Sequence, residues 1–177
     1  DRMVCVVAGA RVCFCFQAED GLRGAQESRG LGGGYKRQDA KVIGLLGPGV
    51  MGKTSVAAFI AARPQIDTIK IKGRGQKSLD DFIGWLKETY PQVTNIQVVD
   101  SIEEVATDSD IISYCNSGEI GDPSTYPIIK REWLKPGAYL AMPASCRLCE
   151  NMAGTGVRKV MDSIGLYETW YEELPKP

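Results

Sequence analysis

The sequence predicts an α/β domain built on a doubly wound parallel sheet. Short apolar runs such as residues 42–46 have the character of strands that are buried on both faces of a parallel sheet. Segments with apolar residues at helical spacing lie between these runs, so strands and helices alternate along the chain. A glycine-rich turn, Gly47 to Gly52, joins the first of these strands to the first helix. These three observations define the fold class.

Each element has its own sequence basis. The strand over residues 42–46 leads into the glycine turn, and the helix predicted over residues 50–63 ends at Pro64 because proline cannot continue a helix. Ser101 and Glu104 form a capping box, which predicts a short helix that ends before Asp108. The other predicted elements are strands over residues 68–72, 95–99, 110–115 and 138–142, a helix from about residue 79 to 90, and a sixth strand starting within residues 159–162.

Composition limits the classes of function. The chain has 177 residues, 44% hydrophobic and 24% charged, which fits one globular domain. Its net charge is −1, with 21 basic and 22 acidic residues, so no overall field favours nucleic acid or an anionic membrane. There is no histidine, which removes the usual general base and the usual catalytic triads. Small polar ligands are the expected partners.

The six cysteines are unevenly spaced and predict reduced thiols in a cytoplasmic protein. The pair Cys146 and Cys149 has a spacing typical of redox or zinc sites, and Cys13 and Cys15 are two further thiols. Because a one-residue gap between ligands is atypical of zinc sites, we predict no metal.

The first 38 residues are predicted to lie outside the fold. Residues 13–38 contain clustered glycines and no sustained helical or strand period, which indicates disorder or an artefactual reading frame. A natural flexible extension is the alternative. Residues 3–10 are apolar but too short to span a bilayer. The domain is therefore predicted over residues 39–177, and we interpret the chain as a fragment truncated at its C-terminus.

The glycine turn satisfies two phosphate-binding patterns. Gly47, Gly49 and Gly52 form the dinucleotide pattern GxGxxG, while Gly47 through Lys53 and Thr54 also match the P-loop of nucleoside triphosphatases. In both cases backbone amides at a helix N-terminus meet a phosphate. The P-loop interpretation needs a carboxylate after an apolar strand, and the nearest candidate, Asp100, follows a strand interrupted by Gln97. The sequence favours the dinucleotide site; a purely structural turn is the third alternative.

The end of the strand over residues 68–72 bears on the choice of dinucleotide. This is where an NAD site carries an acidic residue for the ribose 2′-hydroxyl. The sequence instead has Gly73 and Arg74, and a guanidinium can bind the 2′-phosphate of NADP. The sequence therefore predicts NADP, with NAD as the alternative; the other interpretation is that these are solvated loop cations.

From about residue 39 to 177 the sequence resembles the ornithine cyclodeaminase/mu-crystallin family. The resemblance is carried by the glycine motif, by Val-Val-Asp-Ser-Ile-Glu-Glu104, by Ser-Asp-Ile-Ile112, by Trp-Leu-Lys-Pro-Gly137 and by Ala-Met-Pro-Ala-Ser145. Within the family the chain is most similar to the tyramine oxidase branch. The resemblance implies a Rossmann-type NAD(P)-binding domain and a homodimeric oxidoreductase that acts on a small amino acid, amine or cyclic imine.

The resemblance also implies which residues bind the cofactor. Val50 and Met51 would face the pyrophosphate, and Gly73 and Arg74 would face the adenosine ribose. The remaining cofactor-binding residues implied by the resemblance are Gly47, Gly49, Gly52, Cys115, Asn116, Ser117, Ala141, Met142, Pro143 and Ala144.

No catalytic residue is assigned. Ser145 stands where cyclodeaminases of the family carry a catalytic aspartate, which resembles the mu-crystallin or ketimine reductase branch. We therefore expect hydride transfer to or from an imine or amine, by an NAD(P)-dependent imine reductase, amino acid dehydrogenase or deaminase. The family's substrate-binding residues are expected outside this chain, so the chain alone is expected to be inactive. The alternatives are a non-catalytic dinucleotide-binding or redox-sensing protein and a P-loop triphosphatase through Gly47 to Thr54.

Overall fold

The computed structural model describes residues 3–7, 39–116, 122–144, 146–149, 152 and 157–161. Their strands and helices alternate along the chain. In chain order the elements are β1 (Met3–Val7), β2 (Val42–Leu46), α1 (Val50–Ala62), β3 (Thr68–Lys72), α2 (Gln76–Thr89), β4 (Asn95–Val98), α3 (Ile102–Ala106), β5 (Ile111–Tyr114), β6 (Ile128–Ile129), β7 (Tyr139–Met142), β8 (Arg147–Leu148) and β9 (Val157–Met161).

Seven of the strands form one parallel sheet in the order β4-β3-β2-β5-β7-β1-β9. From β2 the chain winds outward through β3 to β4, then crosses back to β5 on the other side of β2 and continues to β7. The point between β2 and β5 is therefore a topological switch point, where open α/β sheets place their ligands. This arrangement confirms the predicted fold class.

Two apolar clusters cover the two faces of the sheet. Successive residues of β5 point to opposite faces, so Ile111 joins one cluster and Ile112 the other. The first cluster packs the sheet against α1 and α2 through Val56 and Phe82. The second packs it against α3 through Val105. Strands β2 and β5 are buried on both faces, as their continuous apolar runs predicted.

An ion pair joins three strands at the amino edge of the sheet. Oδ2 of Asp110, just before β5, accepts hydrogen bonds from the amides of Lys41 and Val42 at 2.9 and 3.0 Å. Its Oδ1 lies 2.6 Å from the ammonium of Lys135, which precedes β7. Burial raises the pKa of Asp110, but the hydrogen bonds to Lys135, Lys41 and Val42 outweigh burial and leave it below its ordinary value.

Most predicted boundaries agree with the structure to within one or two residues. The capping box is confirmed in part, because the hydroxyl of Ser101 accepts the amide of Glu104 at 3.1 Å and α3 begins at the next residue. Helix α2 begins at Gln76, three residues before the predicted start at Leu79. The reason is that Gly75 has extended backbone and caps the helix directly, so the polar residues after it are already helical.

Three strands were not predicted. Strand β1 pairs in parallel with β7 and β9, which differs from the prediction that the fold begins near Asp39. Its five-residue apolar run is typical of a buried strand. Residues 8–38, the rest of the segment predicted to be disordered, lie outside the described residues. Strands β6 and β8 have two residues each and pair with one another, which is too short for a sequence period.

Within the described part of the chain, no helix has both the length and the hydropathy that crossing a bilayer requires.

Candidate functional site

The glycine turn lies at the carboxyl edge of the sheet, at the switch point. Gly47 has φ +98°, a conformation that side chains rarely adopt, and a Cβ there would lie 2.7 Å from the backbone carbon of Cys115. A Cβ on Gly52 would lie 2.3 Å from the carbonyl oxygen of Gly47, so α1 packs directly on the turn. A Cβ on Gly49 would meet nothing within 4 Å. The fold therefore requires glycine at positions 47 and 52, whereas Gly49 leaves open space at the edge of the sheet.

Helix α1 presents its N-terminal amides to that open space. Gly49 is the N-cap, and the first intrahelical bond runs from the amide of Lys53 to its carbonyl at 3.0 Å. The amides of residues 50–52 therefore have no acceptor inside the helix. The first turn carries no acidic side chain, so the positive end of the helix dipole is not neutralised locally. Val50 is 82% exposed and Met51 is 45% exposed, which leaves the surroundings of these amides accessible.

The geometry weighs against the P-loop interpretation. A P-loop needs its four intervening residues as a loop that wraps a phosphate, but α1 already begins at Val50 inside the motif. The ammonium of Lys53 lies 5.4 Å from the ring centre of Trp85 on α2, a cation–π contact with a neighbouring helix. The hydroxyl of Thr54 donates back to the carbonyls of Val50 and Met51, as expected for an exposed helical threonine.

The end of β3 meets the turn. A Cβ on Gly73 would lie 2.8 Å from Cγ of the buried Pro48, so a glycine at this position lets the two segments touch. The amide of Gly47 donates to the carbonyl of Lys72 at 2.9 Å, which ties the turn to β3. Arg74 follows directly and is exposed. The ammonium of Lys72, the last residue of β3, donates a hydrogen bond to the carbonyl of Asp100.

Asn116 follows β5 on the other side of the turn. Its backbone nitrogen would lie 2.8 Å from a Cβ on Gly47. Its Oδ1 is buried and accepts no hydrogen bond from the described residues. A buried acceptor without a donor costs free energy, which makes this carbonyl oxygen a candidate acceptor at the site. The neighbouring Ser117 lies outside the described residues.

The thiol of Cys115 does not face the edge. It is buried, and it lies 3.3 Å from the hydroxyl of Ser113 and 3.5 Å from that of Ser55 on α1. Burial raises the pKa of Cys115, and the two hydroxyl contacts lower it only in part, so the thiol stays neutral near pH 7. The contribution of Cys115 to the edge is its backbone, beside Gly47.

The residues after β7 reach the same edge. The amide of Ala144 donates to the carbonyl of Tyr114 at 3.2 Å, which continues the alignment of β7 with β5. Pro143 and Ala141 are half-buried, and the side chain of Met142 is buried in the second apolar cluster. Ser145, at the position of the family's aspartate, lies outside the described residues.

Sequence analysis missed three residues that shape this site. Pro48 is the contact of Gly73, while Ser55 and Ser113 hold the thiol of Cys115. A proline between the first two glycines is visible in the sequence, but the two serines carry no positional pattern that would mark them. Cys146, of the pair with zinc-like spacing, donates to the thioether of Met142 at 3.0 Å. Cys13 and Cys15 lie outside the described residues.

A parallel doubly wound sheet with a glycine turn and a free helix N-terminus at its switch point defines the class of nucleotide-binding α/β domains. Residues 28–174 match the ornithine cyclodeaminase/mu-crystallin family. The chain belongs to this family, as its sequence motifs predicted. The match identifies the family as a whole and no branch within it.

Individual relatives resemble the chain more distantly. Protein SAR DEFICIENT 4 of Arabidopsis thaliana is 26% identical over 110 residues, which cover 62% of this chain and 32% of that protein. The structure of Thermococcus litoralis Delta(1)-pyrroline-2-carboxylate reductase, in complex with NADH and L-proline, is similar with a TM-score of 0.53 and 22% identity, over 72% of this chain and 37% of that one. An archaeal alanine dehydrogenase dimer with bound NAD has a TM-score of 0.48 and 20% identity, over 70% of this chain and 35% of that one. The chain thus spans about a third of these relatives.

Proposed function

We propose that this chain is the NAD(P)-binding domain of an oxidoreductase that acts on an amino acid, amine or cyclic imine. The observation that carries the proposal is the turn at the switch point, where Gly49 leaves open space in front of the free amides of α1. A diphosphate fits such a site because amides and the helix dipole both favour an anion. Membership of the ornithine cyclodeaminase/mu-crystallin family supports the class of substrate.

The residues at the edge fit the proposed cofactor. The amides of Val50 and Met51 would contact the diphosphate, and Oδ1 of Asn116 would accept a hydrogen bond from a cofactor hydroxyl or amide. Pro143 and Ala144 would flank the nicotinamide side. The bound cofactor would supply or accept the hydride, while the protein fixes its position and excludes water.

We propose NADP over NAD because of Arg74. It is exposed at the end of β3, and α2 begins just after it with Gly75 as N-cap, without an acidic residue in its first turn. A 2′-phosphate there would meet a guanidinium and a positive helix end together.

Turnover by this chain alone is not expected. The substrate and the homodimer interface are proposals that rest on family membership, and cytoplasmic location is a proposal from the thiol content. A non-catalytic dinucleotide-binding protein has the same cofactor geometry, so binding and turnover need separate measurements. Turnover is measured by following NADPH absorbance in the presence of cyclic imines and amino acids. Oxidation of NADPH by this chain would contradict the expectation that the chain alone is inactive.

Calorimetric titration with NADPH, NADH and ATP-Mg tests the proposal. We expect both dinucleotides to bind and ATP-Mg not to bind. Gly49→Val should abolish dinucleotide binding and leave the unfolding temperature unchanged, because valine tolerates φ −80° and ψ −166° and meets no atom within 4 Å. Gly84→Val, at an equally open glycine on α2, is the matched control and should bind normally. Binding of ATP-Mg without dinucleotides would refute the proposal.

A further inference from the structure

We propose that Cys115 is a positioning residue: through its contact with Ser55 it sets where α1 presents its first amides, and so sets the affinity for the diphosphate of the dinucleotide. The inference rests on the proposed function. It concerns the thiol, which is buried against the hydroxyls of Ser55 and Ser113.

The thiol connects β5 to α1. Its sulfur lies 3.5 Å from the hydroxyl of Ser55, in the second turn of α1, and 3.3 Å from that of Ser113 on β5. Ser55 follows the amides of residues 50–52 by one helical turn. A shift of α1 along this contact would move those amides by a similar distance, because a helix of this length moves as a rigid unit.

The backbone of the same residue forms the other side of the turn. The carbonyl carbon and oxygen of Cys115 lie 2.7 and 2.8 Å from the position of a Cβ on Gly47, and its amide donates to the carbonyl of Leu46 at 2.7 Å. On the opposite side, α1 touches the turn at Gly52. Cys115 therefore contacts the turn with its backbone and the helix with its side chain, and it fixes the distance between them.

The role of the thiol is geometric. Because the thiol is buried and neutral, it supplies no charge to the phosphate and no nucleophile. Its contribution is one weak hydrogen bond and close packing between β5 and α1, in addition to the apolar contacts that Val56 makes with the sheet. Removing it should loosen the position of the amides without removing any of them.

Two ligands separate positioning from general destabilisation. NADPH contacts the amides through its diphosphate, whereas adenosine 2′-monophosphate lacks the diphosphate and binds only at the adenosine end. We expect Cys115→Ala to weaken NADPH about tenfold, comparable to the loss of one charged hydrogen bond, and to leave adenosine 2′-monophosphate unchanged in calorimetric titration. Ser55→Ala should have the same effect, and the double variant should be no weaker than either single one.

Two control variants are used, a conservative substitution of Cys115 and a substitution of a different cysteine. Cys115→Ser retains a hydroxyl that reaches both serines and should restore most of the affinity, while Cys149→Ala, on a half-buried thiol of the other cluster, should bind as the parent chain does. If Cys115→Ala does not fold, Ser55→Ala carries the test alone. Equal losses for both ligands, no loss for NADPH, or additive losses in the double variant would each overturn the inference. If the parent chain binds no dinucleotide, the proposed function fails instead.

Discussion

At the scale of single residues, the glycines of the turn have separate tasks. Gly47 is required by its positive φ and by the backbone of Cys115, Gly52 by the approach of α1, and Gly49 by neither. The spacing of the three glycines predicted the turn, and each task follows from the absence of a Cβ. The contact between Gly73 and Pro48 was not predictable, since it joins residues that are distant in sequence and depends on the register of β2 and β3.

Arg74 provides a prediction at this scale. Replacing it with alanine should weaken NADPH about tenfold or more, because a charge-assisted contact with the 2′-phosphate is lost, and should leave NADH within twofold. Calorimetric titration of both cofactors measures the ratio. Lys87→Ala, an exposed cation in the last turn of α2, is the control. Equal weakening of NADPH and NADH by Arg74→Ala would refute the assignment of NADP.

At the scale of elements, the distance between packed elements decides whether a glycine can be replaced by a larger residue. Strand β2 and α3 approach so closely that a Cβ on Gly44 would lie 2.1 Å from the carbonyl oxygen of Val105. Helix α2 carries Gly84 at an exposed position where a Cβ meets nothing within 4 Å. The strands and the long helices were predictable because each buries a regular apolar pattern. The pairing of β6 with β8 was not, because two residues hold no period.

Substitutions of Gly84 and Gly44 should have opposite effects on stability. Gly84→Ala should raise the free energy of unfolding by about 0.5–1 kcal/mol, because it removes a flexible residue from the middle of a helix. Gly44→Ala should lower it by about 2–3 kcal/mol through overpacking. Urea denaturation followed by circular dichroism measures both. An unchanged stability for Gly44→Ala would show that α3 moves away from the sheet without cost.

At the scale of the whole molecule, the two edges of the sheet are separate. The carboxyl edge carries the candidate site, and the amino edge carries the ion pair of the buried Asp110 and the half-buried Lys135, which joins β2, β5 and the chain entering β7. Asp110 was predicted as the first residue of a strand, but its partners were not predicted. The reason is that Lys135 and Lys41 come to it from segments on either side, through the order of strands in the sheet.

The pair predicts a pH dependence of stability. The pKa of Asp110 is lower in the folded chain than in the unfolded chain, so its contribution is complete above the unfolded value, near 4. This contribution to stability is lost as the pH falls through the pKa that Asp110 has in the folded chain, which is the lower of the two. Asp110→Asn should therefore lower stability at pH 7 by about 1.5–3 kcal/mol, the range for hydrogen bonds to a charged group, and flatten the loss of stability below pH 4.

Urea denaturation between pH 7 and pH 2.5 measures this effect. Asp81→Asn is the control, because it removes an exposed carboxylate from α2 and leaves the pair of Asp110 and Lys135 in place. Equal acid sensitivity in Asp110→Asn and the parent chain would contradict the prediction.

The short span of the turn has a consequence for how the ligand is held. Between Gly47 and the first residue of α1 there are two residues, Pro48 and Gly49, which is too little chain to enclose a terminal phosphate. With the proposed function, a dinucleotide would be held at this edge by its central diphosphate, and its two halves would extend in opposite directions over β3 and β7. Each half alone would bind weakly, and the diphosphate that links them would supply the effective concentration that makes the whole ligand bind tightly.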